Sequence, residues 1–559
     1  MTIRRIIQEL YPDQAESVHA RILSLVEANR TNEKRPWVTE KDVMLITYGD
    51  SLTKAGEVPL RTLGRFLNER TKGLIDNVHI LPMFPYSSDD GFSVIDYERI
   101  DEKLGTWDDI ERLSRDHGLM FDAVINHISR SSAWFKGFLQ GKKAYQDYFI
   151  ACDPTLDYSD VVRPRALPLF YPYETADGTK HIWATFSQDQ VDLNYRNPGV
   201  LLRILAILIG YARRGARFIR FDAIGFLWKE IGTPSIHLRQ THLLIKLMRQ
   251  VLDLTVPGTI IVTETNVPHQ QNVSYFGNGH DEAHMVYQFP LPPLVLFSFV
   301  SGSAGKLLEW ADRLKETPLT EETTYFNFLA SHDGIGMRPV EDILDEAEKK
   351  QLIEHVLANE GRISYRDNGD GTRSPYELNI SYFDAVASHD DTKETRIRKF
   401  IASQVILLSV IGVPGIYVHS LIGSRNDLEG MRSSNIPRRI NRAKLDYEAV
   451  TEELANEHSL RHAIFTRYRE LLATRRRYPA FAPNAQQSVL FLDERIFSII
   501  RNDEKRKQRI LVLVNVSNEC VTLTTEFRGT DIETGAPVLK RIELYPYRYR
   551  WIELEGGSP

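Results

Sequence analysis

Four short apolar runs of the chain each end in polar residues of the kinds that carry out catalysis. The runs end at Asn126-His127, Asp222, Glu264 and His332-Asp333. Helix-like sequence separates them, which is typical of a (β/α)8 barrel, where catalytic side chains follow the strands. We therefore expect the three carboxylates to converge on one pocket. Paired carboxyl groups can cleave a glycosidic bond, so the pattern indicates glycoside chemistry.

Asp222 and Glu264 are the candidates for such a pair because they end consecutive predicted strands. Cleavage with retention needs a nucleophilic carboxylate and a carboxylic acid about 5–5.5 Å apart. Arg220 lies two residues before Asp222, so the alternation of a strand puts both on its inward side. A guanidinium there would keep Asp222 ionised. Each residue alone has an ordinary structural explanation, but their joint placement at strand ends favours catalysis.

Eight strands are expected to form the barrel, at residues 43–48, 78–81, 119–125, 218–221, 259–262, 285–288, 324–328 and 413–418. Helical stretches lie between them, such as 106–117, with Thr106 as its N-cap. Two connections are too long for ordinary loops and are expected to be inserted subdomains. Beyond residue 480, alternating apolar runs predict a β domain.

The predicted fold is therefore α/β: a (β/α)8 TIM barrel with two inserted subdomains and a C-terminal antiparallel β domain. The expected divisions are a helical extension at 1–40, barrel segments at 41–127, 201–333 and 401–479, an inserted B domain at 128–200, a second insertion at 334–400 that overhangs the active site, and the β domain at 480–559.

The composition limits the compartment and the partners. A chain of 559 residues is too long for one compact core. Its net charge of −6 is spread along the sequence, which gives no sign of a nucleic-acid or membrane partner. Cys152 and Cys520 lack a ligand pattern and are expected to be free thiols. Without a signal-like N-terminus or a long apolar run, we expect a cytoplasmic protein.

The four strand-end segments resemble the signature regions of the α-amylase superfamily, glycoside hydrolase family 13, and the resemblance extends over nearly the whole chain. It implies Asp222 as the nucleophile, Glu264 as the acid/base and Asp333 as a third carboxylate that clamps sugar hydroxyls. Arg220, His127 and His332 would surround the bound glucose. The resemblance implies no cofactor and no catalytic metal.

Other motifs resemble the sucrose phosphorylase branch of this superfamily. Ser88-Asp-Asp-Gly-Phe-Ser-Val-Ile-Asp96 is similar to a loop in which Asp89 would hold the glucose, and Arg439-Ile-Asn-Arg442 is similar to a motif in which Arg442 would reach the same sugar. Arg163-Pro-Arg165 resembles the segment that supplies a phosphate-binding arginine, here Arg165. Pro375-Tyr376-Glu377 matches the mobile acceptor loop of that branch.

The residues expected to contact the acceptor differ from those of the sucrose enzymes. They have a tyrosine and a histidine where this chain has Phe226 and Asn266, and a glutamine in place of Glu377. With Arg373 nearby, an anionic leaving group is favoured, because a carboxylate pairs well with a guanidinium. In these features the chain looks most like the glucosylglycerate phosphorylases of the branch.

The resemblance implies a reversible, retaining phosphorylase that forms α-glucose 1-phosphate and D-glycerate from 2-O-α-glucosyl-D-glycerate and phosphate. Sucrose, sucrose 6′-phosphate and glucosylglycerol stay open as donors. A glucosidase or glucosyltransferase, and a catalytically inactive binding subunit, are further alternatives. The expected partners are a small-molecule glucoside and inorganic phosphate, with neither nucleic acid nor membrane, and a homodimer stays open.

Overall fold

A closed barrel of eight parallel strands forms the centre of the protein. The computed structural model describes residues 1–32, 34–165, 167–367 and 372–555, with residue 367 described by its backbone only. The barrel strands are β1 Met44–Thr47, β2 Asn77–Ile80, β3 Gly118–Ala123, β4 Ala216–Phe221, β5 Ile260–Thr263, β6 Met285–Tyr287, β7 Thr324–Phe328 and β8 Val413–Tyr417. They follow chain order around the barrel, and β8 pairs with β1 to close it. The predicted α/β barrel is confirmed, and each strand overlaps its predicted run.

Most residues of the barrel strands are apolar because the barrel buries both strand faces. Every residue of β5 and of β6 is buried, as expected for parallel strands covered by helices. Helices cover the outside, and the one predicted at 106–117 runs over Trp107–Asp116 from a capping box of Thr106 and Asp109. The α-helices are Ile3–Leu10, Ala15–Asn29, Pro59–Phe66, Trp107–Asp116, Ala133–Leu139, Pro198–Arg213, Arg239–Thr255, His269–Val273, Leu291–Ser301, Gly305–Arg313, Glu346–Ala358, Tyr382–Val386, Lys393–Ser409, Val418–Leu421, Leu428–Ser434, Tyr447–Ala455 and Leu460–Arg475.

Two long excursions leave the rim where the strands end. The first, between β3 and β4, contains the antiparallel pair His127–Ser129 and Gln190–Asp192 and a sheet of Ala151–Cys152, Gly178–Trp183 and Phe170–Thr175. The second, between β7 and β8, contains a sheet of Ile335–Gly336, Arg373–Asn379 and Arg362–Asp367. The turn-rich residues 368–371 of this excursion lie outside the described residues.

The chain ends in an antiparallel β domain, as predicted. Its six-stranded sheet contains Gln486–Val489, Ile496–Asp503, Gln508–Asn515, Tyr549–Leu554, Gly529–Asp531 and Pro537–Val538, and a smaller sheet pairs Val521–Thr524 with Arg541–Leu544. A short parallel pair, Leu52–Thr53 and Leu445–Asp446, lies elsewhere. Across the described residues, no helix is both long enough and apolar enough to span a membrane.

Candidate active site

One cavity at the carboxyl rim of the barrel brings the candidate residues together. Its walls come from the ends of β4, β5 and β7, from the loop after β2 and from both excursions. Its polar lining residues include Asp89, His127, Arg165, Gln190, Arg220, Asp222, Glu264, Asn266, His332, Asp333, Tyr376, Glu377 and Arg438. Every residue predicted for the site is among them except Arg373 and Arg442.

Asp222, the first residue after β4, is held by Arg220. Arg220 Nη1 donates to Asp222 Oδ1 at 2.8 Å and to Asp122 Oδ1 at 2.5 Å. Asp122 lies beside Arg220 in the register of β3 and β4, and it also accepts from His79 Nε2 at 2.8 Å. The buried guanidinium is therefore fixed from behind and directed at Asp222.

Glu264, the first residue after β5, lies next to the turn that follows Asp222. Ala223 adopts a left-handed backbone with φ of 48°, which costs on the order of 1 kcal/mol in a residue other than glycine. In this conformation its N–H donates to Glu264 Oε2 at 3.2 Å. Arg220 Nη2 lies 3.9 Å from the same oxygen. The two carboxyl groups are thus neighbours across the cavity.

The pKa values of these two neighbouring carboxyl groups are both raised. Burial raises the pKa of Glu264. Burial also raises the pKa of Asp222, where Arg220 opposes the rise and the charge of Glu264 adds to it. Like charges this close do not both ionise readily. Arg220 hydrogen-bonds Asp222 and stands farther from Glu264, so it favours the ionised form of Asp222 more than that of Glu264.

Asp333 is the carboxylate that stays ionised most firmly. Arg438 Nη1 lies 2.7 Å from Asp333 Oδ1. Burial opposes ionisation, but His332 and the guanidinium groups of Arg438 and Arg442 hold the pKa of Asp333 well below its usual range. Arg438 also makes two hydrogen bonds to Glu377, of 3.0 and 2.5 Å. One arginine therefore joins a strand end of the barrel to the second excursion.

The two histidines of the cavity are neutral. Burial lowers the pKa of His332 to about 3 and also lowers that of His127. The His332 ring stacks on Phe92 with 4.8 Å between ring centres, and the His127 Nε2–H donates to the Phe92 carbonyl at 3.0 Å. Neutral imidazoles suit hydroxyl groups better than anions, because each can offer one donor and one acceptor.

Asp89 and Arg165, predicted for glucose and for phosphate, form an ion pair with each other. Arg165 Nη2 donates to Asp89 Oδ2 at 3.0 Å, and Gln190 Nε2 donates to the same oxygen at 3.2 Å. Asp89 lies in a turn with φ of 55°. The pair joins the loop after β2 to the first excursion across the mouth of the cavity.

Arg442 lies behind the cavity wall instead of lining it. Its Nη1 donates to Asp90 Oδ2 at 2.5 Å, and its Nε donates to the carbonyl of His332 at 2.6 Å. It therefore fixes the loop that carries His332 and Asp333 from behind. Arg438, four residues earlier in the chain, does line the cavity.

A second cavity adjoins the first on the far side of Glu264. Both are lined by Glu264, Asn266 and Tyr376. The second also includes Phe226 and Arg338. The residues that replace the tyrosine and the histidine of sucrose enzymes therefore line this second cavity.

Arg373 lines neither cavity, and its side chain is exposed. It begins the strand Arg373–Asn379, whereas Tyr376 and Glu377 lie in its second half. At about 3.3 Å per residue, Arg373 stands roughly 10 Å along the strand from Tyr376. The structure therefore does not bring this predicted residue together with the others.

Sequence reasoning missed four polar residues at or next to the site: Asp122, Gln190, Arg338 and Arg438. Asp122 had a signal, because strand register pairs it with Arg220. Arg438 stands directly before the Arg439-Ile-Asn-Arg442 segment that was singled out, but no spacing rule favours it. Gln190 and Arg338 carry no signal. In the described part of the chain, no group of three or more His, Cys, Asp or Glu side chains is arranged to hold a metal ion.

Comparison with known proteins agrees with this geometry. Residues 72–360 match the family model described as the alpha amylase catalytic domain. A glucosylglycerate phosphorylase from Spirochaeta thermophila is 49% identical over 511 residues, which cover 91% of this chain and 86% of that protein. A sucrose phosphorylase from Streptococcus mutans is 31% identical over 427 residues, which cover 74% of this chain and 83% of that protein. The crystal structure of sucrose 6F-phosphate phosphorylase from Thermoanaerobacter thermosaccharolyticum has a TM-score of 0.75 at 22% identity and covers 91% of this chain and 98% of its own, so it bears on the fold alone.

Proposed function

The chain belongs to the alpha-amylase family, and within it we propose that the protein is a glucosylglycerate phosphorylase. It exchanges the D-glycerate of 2-O-α-D-glucosyl-D-glycerate for phosphate and releases α-D-glucose 1-phosphate. The observation that carries the reaction class is the pair of carboxyl groups, in which Arg220 donates to Asp222 and the N–H of Ala223 donates to Glu264. We assign the negative charge to Asp222 and the proton to Glu264. The extensive identity with a glucosylglycerate phosphorylase supports the choice of donor.

In the first step, Asp222 attacks the anomeric carbon of the glucosyl unit. The bond from that carbon to the 2-oxygen of glycerate breaks, and Glu264 gives its proton to the departing oxygen. The product is a β-glucosyl ester of Asp222. Arg220 keeps Asp222 ionised and aimed before the attack, since its guanidinium is anchored by Asp122. A retaining outcome follows, because the glucosyl unit is displaced twice.

In the second step, an oxygen of hydrogen phosphate attacks the anomeric carbon from the face that glycerate left. The ester bond breaks, Asp222 recovers its charge, and Glu264 takes the proton of the phosphate. Arg165 and Tyr376 are proposed to hold the phosphate, which requires Arg165 to exchange its contact with Asp89 for one with the anion. Phosphate is already a good nucleophile, so Glu264 matters less here than in the first step.

The glucosyl unit is proposed to sit among Asp333, Asp89, His127 and His332. Two ionised carboxylates accept hydrogen bonds from sugar hydroxyls, and the neutral imidazole of His332 can donate or accept. Glu377 and Asn266 then lie toward the acceptor. Arg442 contributes by fixing the loop of His332.

Activity of the purified protein tests this proposal directly. We expect glucose 1-phosphate from glucosylglycerate and phosphate, with much less from sucrose under the same conditions. Strong release from sucrose would overturn the donor assignment while leaving the two-step mechanism in place. Glucose release that continues without phosphate would instead identify a hydrolase.

Two further proposals concern the compartment in which the protein works and its oligomeric state. Cys152 and Cys520 are both unpaired, which suits a reducing compartment, so we propose that the reaction takes place in the cytoplasm. A homodimer is a further hypothesis, which light scattering of the purified protein would test.

A further inference from the structure

The second cavity contains an arginine without a counter-ion. Arg338 is half-buried and lines the cavity together with Glu264, Asn266 and Tyr376. Its guanidinium has no hydrogen-bond or ion-pair partner among the residues that the structure describes. A partly desolvated cation is costly to leave unpaired, so this group is ready for an anion.

The backbone around Arg338 fixes its place beside the acceptor loop. Gly336 pairs with Glu377 across the antiparallel sheet, and the N–H of Met337 donates to the Tyr376 carbonyl at 3.0 Å. The short helix Arg338–Val340 starts at the next residue. Arg338 is therefore tied to the same strand that brings Tyr376 and Glu377 to the cavity, which limits how far its guanidinium can move away.

The carboxylate that acts on Arg338 is shared with another arginine. Glu341, whose charge acts on Arg338, already accepts a hydrogen bond from Arg366 at 2.9 Å. Burial lowers the pKa of Arg338 and the charge of Arg366 lowers it further, while Glu341 and Tyr376 oppose the change. Because Glu341 is hydrogen-bonded to Arg366, its negative charge is less able to neutralise Arg338.

Asn266 supplies a second polar contact in the same cavity. Its side-chain oxygen is buried and has no hydrogen-bond partner within the described residues. Space beside it is tight, because a Cβ atom on Gly336 would lie 3.3 Å from the Asn266 amide nitrogen. Phe226 and Phe186, with ring centres 5.5 Å apart, form an apolar wall of the cavity. The cavity thus has a cation, an amide and an apolar wall, which suit a small polar anion.

We propose that Arg338 binds the carboxylate of the acceptor and that Asn266 accepts a hydrogen bond from an acceptor hydroxyl. The assignment rests on the proposed function and names the group that selects glycerate over neutral alcohols. The other arginines are less suited to this task. Arg165 is paired with Asp89, Arg438 is paired with Glu377 and Asp333, and Arg373 lies outside both cavities.

The test measures acceptor choice with a donor that carries no acceptor anion. α-Glucosyl fluoride delivers the glucosyl unit to Asp222, and the enzyme then transfers it to D-glycerate or to glycerol. Glucose 1-phosphate is avoided as donor, because its phosphate is itself an anion that could bind Arg338. The ratio of kcat/KM for glycerate to that for glycerol isolates recognition of the carboxylate.

We expect Arg338→Ala to lower this ratio by about 10- to 100-fold, the range for loss of a charge-assisted hydrogen bond. Arg338→Lys should lose less, since it keeps the charge but not the paired donors of the guanidinium. Arg373→Ala is the matched control, because it removes an exposed arginine of the same excursion, and its ratio should equal that of the unchanged protein.

Each outcome distinguishes this inference from the proposed function. An unchanged ratio in both Arg338 variants, with the unchanged protein preferring glycerate, would overturn the role of Arg338 alone. A loss of the same size in Arg373→Ala would move the carboxylate site to Arg373. Failure of the unchanged protein to glucosylate glycerate, while it still turns over glucosyl fluoride, would overturn the proposed donor itself. If Arg338→Ala does not fold, the same kcat/KM ratio measured for Arg338→Lys tests the role of Arg338.

Discussion

Removing the proton of Glu264 should slow the enzyme only with donors whose leaving group needs that proton. Within the described residues, the Glu264 side chain accepts one hydrogen bond, from the N–H of Ala223 at 3.2 Å, and the amide oxygen of a glutamine can accept the same bond. The fold should therefore survive Glu264→Gln. What is lost is the acid that protonates the glycerate oxygen.

The size of the loss follows from that role. General acid catalysis contributes about 10²- to 10⁴-fold to a rate, which corresponds to about 2.7–5.5 kcal/mol of activation free energy. We expect a fall of that size in kcat/KM for glucosylglycerate with Glu264→Gln. Fluoride leaves without a proton, so kcat/KM for α-glucosyl fluoride should fall far less. Release of glucose 1-phosphate and of fluoride provides the two assays.

The pH profile gives an independent check of the same reasoning. An acid works only while it is protonated, so its contribution is present below its pKa and is lost as the pH rises through it. Because burial raises the pKa of Glu264, activity toward glucosylglycerate should persist above the range of an ordinary glutamic acid before it declines. That decline should be missing for Glu264→Gln with glucosyl fluoride. Equal losses for the two donors would refute the assignment of Glu264 as the acid.

Three further predictions address the groups around the nucleophile. Asp222→Asn should abolish turnover of both donors with little change in melting temperature, and measurable fluoride release would contradict its role. Asp122→Asn removes one of the two carboxylates that hold Arg220, so kcat should fall about 10- to 100-fold with either donor, as expected for a misplaced catalytic group; an unchanged kcat would show that Arg220 needs no support. Arg438→Ala leaves the buried Glu377 without its cation and removes one of the two guanidinium groups near Asp333, and it should cost about 3–5 kcal/mol of stability. Adding Glu377→Gln should recover part of the melting temperature, whereas additive losses would argue against the pair.

The barrel and the convergence of its candidate carboxylates were predictable because their positions depend on a repeating pattern. Parallel strands buried on both faces read as apolar runs, and all strand ends of such a barrel meet at one rim. Asp222 and Glu264 directly follow the strands Ala216–Phe221 and Ile260–Thr263. Their convergence therefore follows from the strand assignment alone, and so does the alternation that puts Arg220 next to Asp222.

The acceptor end was less predictable because its residues lie on irregular connections. Arg438 meets Glu377 across 61 residues of sequence, and no periodicity links the two. Arg373 was expected near the acceptor because of its charge and its closeness to Tyr376 in sequence. An extended strand carries residues apart by about 3.3 Å each, so closeness in sequence did not become closeness in space. Arg338 gave no signal, since a single arginine after a glycine-rich loop is usually solvated.

The distribution of charge explains how one cavity can serve two different leaving groups. At the glucose end, Asp333 and Asp89 face Arg438 and Arg165, so positive and negative charges balance around a neutral sugar. In the cavity beyond Glu264 the positive charge is not balanced in this way, because Arg338 forms no ion pair with a carboxylate of the described structure. Glycerate and phosphate share only their negative charge and an oxygen that must approach the anomeric carbon. In the proposed arrangement, the unpaired Arg338 beside Glu264 attracts the carboxylate of glycerate and Arg165 attracts phosphate, so either anion can bring its oxygen to the same anomeric carbon and the reaction can run in both directions.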